Sequence, residues 1–390
     1  MFRTMGTSLR AARLATFAFF ALNGFVLGMW IVHIPVIEHR AGISHATLGL
    51  LLLLLGGGAF AGMQLAGPLT DRFGARLTVP VTAALCSAAV VLPGFATSGW
   101  TLGVALLVFG IFLGCLDVTM NVHAVEVERA YQRPIMSAFH AVFSIGGVLA
   151  ALAGARTLSW GWSPSSTLIG VAVLSLVATV VATPALLRPR PSTLAATDTP
   201  RRKTPTRVWA MAVLAFLLML CEGVANDWSV LHLSTILDAP AATAAFAYGS
   251  FATAMTVGRF LTDRVAHRFG SVAIVRYGSA IAAAGLAAVA FSPWIPLALA
   301  GWTVFGIGLS GCIPQLFGAA GHAEPDAAGT NVSRVAGLGY LGMLAGPMII
   351  GPLTELMPLN LTFLLPVAFC VVASGAARIL NPTPLAVAAV

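Results

Sequence analysis

A chain of 390 residues would ordinarily fold as two or three soluble domains, but 58% of this one is hydrophobic and only 9% is charged, against roughly a quarter charged in an average soluble domain. No soluble fold of this length has interior enough for so much apolar surface, so much of the surface must face lipid. The net charge of +8 points to nucleic acid only until the charges are placed along the chain.

At ~20 apolar residues per span plus a connection, the length predicts about twelve or thirteen spans and almost nothing outside the membrane. Apolar runs lie at about 12–37, 45–68, 77–97, 100–126, 134–158 and 165–187, then at about 208–235, 242–262, 271–291, 294–318, 330–352 and 360–380. The expected fold is all-α, with twelve transmembrane helices in two six-helix pseudo-symmetric bundles. The expected domains are 1–187, a cytoplasmic linker at 188–207, and 208–390. The basic start, Met1 to Arg13, runs into an apolar stretch too long for a signal peptide, which predicts a retained first helix.

In chain order, span one offers Asn23, with Trp30 two turns later, to a cavity. His33, His39, His45 and His232 fall near the outer ends of spans and read as solvated. Between spans two and three comes Gly67-Pro-Leu-Thr-Asp71-Arg72-Phe-Gly74-Ala-Arg76. Glycine lets two helix ends approach closely, and Asp71 can pair with an arginine or cap a helix N-terminus. Such a contact would latch that side of the membrane, whereas a plain basic turn would not.

Span four carries Asp117, and at 100° per residue Gly110, Gly114, Asp117 and Asn121 share one face. The glycines admit a neighbouring helix or a substrate, and Asp117 with Asn121 presents acceptor and donor groups. On span five Ser137, His140 and Ser144 form a polar stripe. The linker is rich in Pro, Thr and Arg. On span seven Glu222, Asn226 and Ser229 share a face, while Asp227 and Trp228 lie nearer the outer end. Asp227 would cap or gate the mouth, and Trp228 would stack on a ring or simply sit at the interface. After span eight the loop recurs as Gly258 to Gly270, where Leu-Thr-Asp263-Arg264 repeats Leu-Thr-Asp71-Arg72 at a distance of 192 residues. Gln315, beside the helix-bending Pro314 on span ten, and Asn331 with Arg334 on span eleven complete the candidate lining.

Asp117, Glu222 and Asp227 are the three carboxylates in the interior of the expected spans. A charge at helix centre costs about 2.5–3.5 kcal/mol on insertion scales, so each calls for a partner, a proton or water. The five cysteines (Cys86, Cys115, Cys221, Cys312, Cys370) lie inside apolar runs without ligand spacing and read as small buried hydrophobes. With the N-terminus cytoplasmic, all but Arg40 and Arg156 among 21 Lys and Arg fall away from the outer face. The charge is then an orientation signal, both termini are cytoplasmic, and nucleic acid is not a partner.

The Gly67–Arg76 loop, the twelve spans and the central linker together resemble the major facilitator superfamily over the whole chain. The Gly114-Cys-Leu-Asp117…Asn121 run is similar to the fucose–proton symporter group, which implies that Asp117 is protonatable. That group also has an acid on span one, and Asn23 to His33 has none. The run from Asp117 through Glu126, Glu128, Arg129 and Arg133 to His140, with Glu222…Asp227-Trp228-Ser229, resembles a bacterial subgroup that contains the rhizobial rhizopine transporter. The resemblance implies a polyol, sugar-like or amino-inositol solute.

There is no Gly-x-x-x-x-Gly-Lys-Ser/Thr loop and the one lysine is Lys203, so ATP hydrolysis is excluded. Nor is there a nucleophile–histidine–acid arrangement at an aqueous face or a metal cluster, so no enzyme, cofactor or metal is expected. The sequence thus predicts a monomeric, multi-pass transporter of the bacterial inner membrane, coupled to protons and moving a small polar solute by alternating access. Asp117 and Glu222 are the proton sites. Asn23, Asn121, His140, Asn226, Asp227, Trp228 and Gln315 bind the solute, and Gly67, Asp71, Arg72, Gly74, Arg76, Asp263 and Arg264 form the gating loops. Drug or metabolite efflux by proton antiport is the alternative.

Overall fold

The computed structural model describes the backbone of residues 2–132, 135–187, 205–323 and 328–381. Most of the expected linker, and the side chains of Asp71, Ser137 and Asp263, lie outside the described residues. Regular structure among the described residues is entirely helical. In chain order it comprises α1 (Phe2–Ala41), α2 (His45–Phe73), α3 (Ala75–Ala89), α4 (Gly99–Tyr131), α5 (Met136–Ser159) and α6 (Pro164–Ala182). These are followed by α7 (Thr206–Ile236), α8 (Ala241–Ala290), α9 (Ile295–Leu309), α10 (Cys312–Ala323), α11 (Ala328–Leu353), α12 (Leu359–Thr362) and α13 (Leu364–Ala376).

The ends are set by local chemistry. The Ser44 hydroxyl accepts the Thr47 N–H at the start of α2, and Ser163 does the same for Ser166 ahead of Pro164 at α6. Ser98 and Thr101 exchange side-chain-to-backbone bonds in a capping box at α4. Each satisfies a donor that a helix start leaves open. Gly42 (φ 65°) closes the turn between α1 and α2.

Among the described residues, eleven stretches are long and apolar enough to cross a membrane. The first part of α8 is the expected span eight. It is helical from Ala241, but its Thr, Ser and Gly content and Arg259 keep it out of that set. Spans eight and nine run as one helical tract interrupted at Gly270. Span ten is interrupted at Ser310–Gly311, between α9 and α10, four residues ahead of Pro314, which has no N–H to give the Ser310 carbonyl. The ladder continues on both sides, with Ser310 N–H to Gly306 at 3.1 Å and Gln315 N–H to Gly311 at 3.3 Å. At the interruption the chain runs close to α8, where a Cβ on Gly311 would collide with Ile274 and Thr262.

The helices gather into two compact units. One holds Met1–Ala196, Asp227–Thr253 and Pro347–Leu359. Within it α2 packs against α4, α1 against α5, and α3 against α4 and α6. It also contains the last part of α7, the first part of α8 and the end of α11. The other holds Thr197–Asn226, Ala254–Gly346 and Asn360–Val390. There Arg207, at the start of α7, donates to the carbonyls of Ile379 (2.7 Å) and Leu380 (2.9 Å).

Candidate functional site

Asp117 is positioned by the closest helix crossing in the first unit. On α2 Gly58 and Gly62, and on α4 Gly110 and Gly114, stand at spacings of four, and each lies with its α-carbon against backbone of the other helix. A Cβ on Gly110 would overlap Leu55, and one on Gly114 would overlap Ala59. The Cys115 thiol donates to the Gly62 carbonyl at 3.2 Å. These glycines therefore seat α2, which settles in favour of a helix the choice between helix and substrate left open by the spacing. Asp117, half-buried, follows one turn after Gly114. Asn121 donates through Nδ2 to the Asp117 backbone carbonyl at 2.8 Å and reaches its Oδ1 at 3.5 Å. The amide is thus mainly spent on its own helix, and no cation pairs with Asp117 among the described residues.

Glu222, near the middle of α7, has a different environment. Its Oε1 accepts a hydrogen bond from Arg259 Nη2 at 3.1 Å. Arg259 comes from the first part of α8, and both side chains stay partly exposed, at 30% and 15% for Arg259 and Glu222. A positive charge at mid-helix was absent from the sequence reading because Arg259 falls next to the repeated loop and looks like part of it. Asn226, one turn on, is half-buried, as is Asp227. Cys221 and Cys370 face each other across α7 and α13 at 3.8 Å. All five cysteines are free and buried, as expected of small hydrophobes.

Trp228 is fully buried, its edge or face set against the His45 ring at a centroid distance of 6.2 Å and 85°. His45 in turn donates to Glu38 Oε1 at 2.6 Å. Glu38 is buried too, a carboxylate one residue beyond the first apolar run. The solvated reading of the histidines near these helix ends holds for His39, which is exposed, and fails for three others. His33 and His232 are fully buried and His45 is engaged. His33 and His232 lie inside the apolar runs, on helices that continue to Ala41 and Ile236, and His45 opens α2 against Glu38 and Trp228.

The remaining lining candidates are dispersed. Asn23 is buried on α1 with its Oδ1 unbonded. His140 is exposed and edge-on to Phe20 at 5.3 Å, while Ser144 donates to the His140 carbonyl. Gln315 accepts from Ser271 at 2.6 Å, tying α10 to α8. Asn331 is fully buried and Arg334 half-buried on α11.

The expected loop is almost wholly helical, with Gly67 and Arg72 in the last turns of α2, Arg76 in the first turn of α3 and Gly74 alone between them; Gly67 has open space beside it and Gly74 adopts φ 77°, ψ 150°. Arg72 is exposed over the Phe73 ring at 5.3 Å, Arg76 is half-buried and Arg264 exposed. The proposed pairing of Asp71 and Asp263 lies outside the described residues. The second loop reproduces the first in backbone and side chain. Gly270 has φ 81°, ψ 161°, and Arg268 lies over Phe269 at 5.5 Å. Geometry thus aligns Arg72-Phe73-Gly74 with Arg268-Phe269-Gly270, one helical turn beyond the Leu-Thr-Asp-Arg match.

Apolar helices of spanning length, a repeated glycine turn and sparse mid-helix charges define a polytopic membrane transporter fold. Residues 15–347 match the Major Facilitator Superfamily, and the chain belongs to that superfamily. An uncharacterised MFS-type transporter of Yersinia pestis is 34% identical over 347 residues, 88% of this chain and 89% of its own. The membrane protein MosC of Rhizobium meliloti is 29% identical over 360 residues, covering 92% and 87%. The crystal structure of the nucleoside transporter NupG superposes with a TM-score of 0.71 at 14% identity, covering 96% of this chain and 98% of that one. The protein is therefore a multi-pass transporter rather than an enzyme, and membership implies a small-molecule substrate.

Proposed function

We propose that the protein is a proton-coupled secondary transporter for a small polar solute, a polyol, sugar-like compound or amino-inositol, working by alternating access as a monomer in a bacterial inner membrane. The observation that carries the coupling is the contrast between its mid-helix carboxylates. Glu222 has a guanidinium at 3.1 Å, whereas Asp117 has only the weak 3.5 Å contact of an amide. A carboxylate without a counter-ion in a membrane span costs several kcal/mol. A proton taken up on one side and given up on the other removes that cost during the crossing. Asp117 is then the proton carrier, and Glu222 with Arg259 is a charge pair that the transport cycle opens and remakes. This assignment narrows the pair of proton sites expected from the sequence to one.

The solute reading rests on Asn23, Asn121, His140 and Asn226, amide and imidazole groups that hydrogen-bond hydroxyls, with Asp227 and Trp228 at the mouth. The amino-inositol class rests on the resemblance of the Asp117–His140 run and of Glu222…Ser229 to the rhizopine-transporter subgroup. The count of basic residues orients the α1–α2 end outward and both termini inward. Transport in proteoliposomes under an imposed pH gradient tests the reading, with polyols and amino-sugars as solutes. Asp117→Asn should abolish uphill accumulation, at least about tenfold, and leave solute exchange down its gradient. Full accumulation by that variant would show that Asp117 does not carry the proton.

A further inference from the structure

A buried histidine that the transport reading does not use sits where the first bundle of helices hands the chain on. His123, on α4 and 1% exposed, touches two other elements. Its Nε2 receives the backbone N–H of Leu187 at 3.1 Å. Its Nδ1 lies 3.1 Å from the Thr16 hydroxyl on α1. That hydroxyl donates its proton to the Ala12 carbonyl at 2.8 Å.

These three bonds fix the protonation state of the ring. A backbone N–H can only donate, so Nε2 must be the bare, accepting nitrogen. The Thr16 proton is already committed to Ala12, so its oxygen accepts and Nδ1 carries the ring proton. The chain Leu187 N–H to His123 to Thr16 to Ala12 runs in one direction and is complete with a neutral imidazole. A second ring proton would place N–H against N–H at Leu187, and the bond to the backbone would be lost.

We propose that His123 is a proton-operated clasp that ties the end of the sixth span to α1 and α4 when neutral and releases it when protonated. Leu187 follows Leu186, the cap of the short helical turn Thr183–Ala185 after α6, and the chain leaves toward the second half immediately after it. The elements packed around His123 bring few charges that compete for the proton. On α1 these are Arg10 and Arg13, the latter over the Tyr131 ring at 5.1 Å. On α3 there is Arg76, and on α4 there are Glu126, Glu128 and Arg129. Glu128 is held by the N–H groups of Ile135 and Met136, each at 2.7 Å. From Pro164 to Leu187 there is no charged side chain. The clasp does not depend on Asp117, and it would make the root of the linker sensitive to acid at that end of the bundle.

Hydrogen–deuterium exchange of the full-length protein in nanodiscs, read at the Leu187 amide and corrected for intrinsic rates, tests it. The closed ring resists a second proton, and the opened ring takes one up as a free imidazole does, so between about pH 7.5 and about pH 5.5 wild-type protection should fall by up to about tenfold. His123→Gln can accept from Leu187 and donate to Thr16 but does not titrate, so its protection should stay level. Thr16→Val removes the acceptor that fixes the tautomer and should lower Leu187 protection already at neutral pH. Level protection in wild type, a matching fall in His123→Gln, or unchanged neutral protection in Thr16→Val would each overturn the clasp.

Discussion

Glu222 and Arg259 hold each other across α7 and α8 at 3.1 Å. Breaking a fully buried ion pair costs more than the pair itself contributes, because the survivor is left uncompensated. Here partial exposure screens the loss, so Glu222→Gln or Arg259→Gln alone should destabilise by about 1–3 kcal/mol. The double substitution should recover most of that, a coupling that thermal unfolding of all four proteins reads directly. Additive losses would mean that the contact carries no energy of its own. The pair was half legible in the sequence. A glutamate in an apolar run announces itself, but Arg259 follows Gly258 at the start of a basic loop, and only the length of the helix shows it is at the glutamate's depth. Glu38 and His45 were hidden likewise, since a seven-residue separation across a turn is no helical spacing.

Glycine sets how closely the elements meet, and the structure separates glycines that pack from glycines that do not. Gly114 lies against Ala59 of α2 with no room for a side chain, while Gly67 on the same helix hairpin has nothing beside it. Gly114→Val should therefore cost at least about 1–3 kcal/mol through overpacking and lower the unfolding temperature, and Gly67→Ala should not. A loss of transport by Gly67→Ala at unchanged stability would assign that position to the motion of the loop. At this scale the sequence was most informative. Hydropathy runs located the spans, and the repeated Asp-Arg element located the two equivalent turns. Pro314 marked the irregularity of span ten, and the interruption falls four residues earlier, at the Ser310 carbonyl that a proline cannot serve. The offset of one turn between the two loops was invisible until Gly74 and Gly270 showed the same positive φ, a conformation close to one that only glycine adopts without strain.

One of the two compact units joins parts of the chain that the sequence repeat would keep apart, and its contacts explain why. At the α1–α2 end, the Tyr248 ring of α8 rests between Gly28 of α1 and Gly147 of α5. Gly49 of α2 meets Pro347 and Gly351 of α11, and Gly249 of α8 meets Ala151 of α5. Trp228 of α7 lies on His45 beside Glu38. Three contacts at glycine notches and one between aromatic rings make a seal, and packed surfaces of this kind have discrete arrangements rather than a continuum. The alternating access proposed above requires that such a seal open as a whole. A cysteine at Ala151, 1% exposed, reports on it against a quiet background, since the five native thiols are buried. In Ala151→Cys alone, a membrane-impermeant maleimide should label slowly. Adding Gly49→Leu wedges α2 from α11, because even a Cβ there would lie 2.9 Å from the Gly351 α-carbon. Labelling should then accelerate by at least about tenfold, the effect of shifting the open–closed balance by 1.4 kcal/mol. An unchanged rate, in protein whose unfolding temperature is preserved, would mean that α2 and α11 part without exposing α5, and that the seal is several independent contacts rather than one.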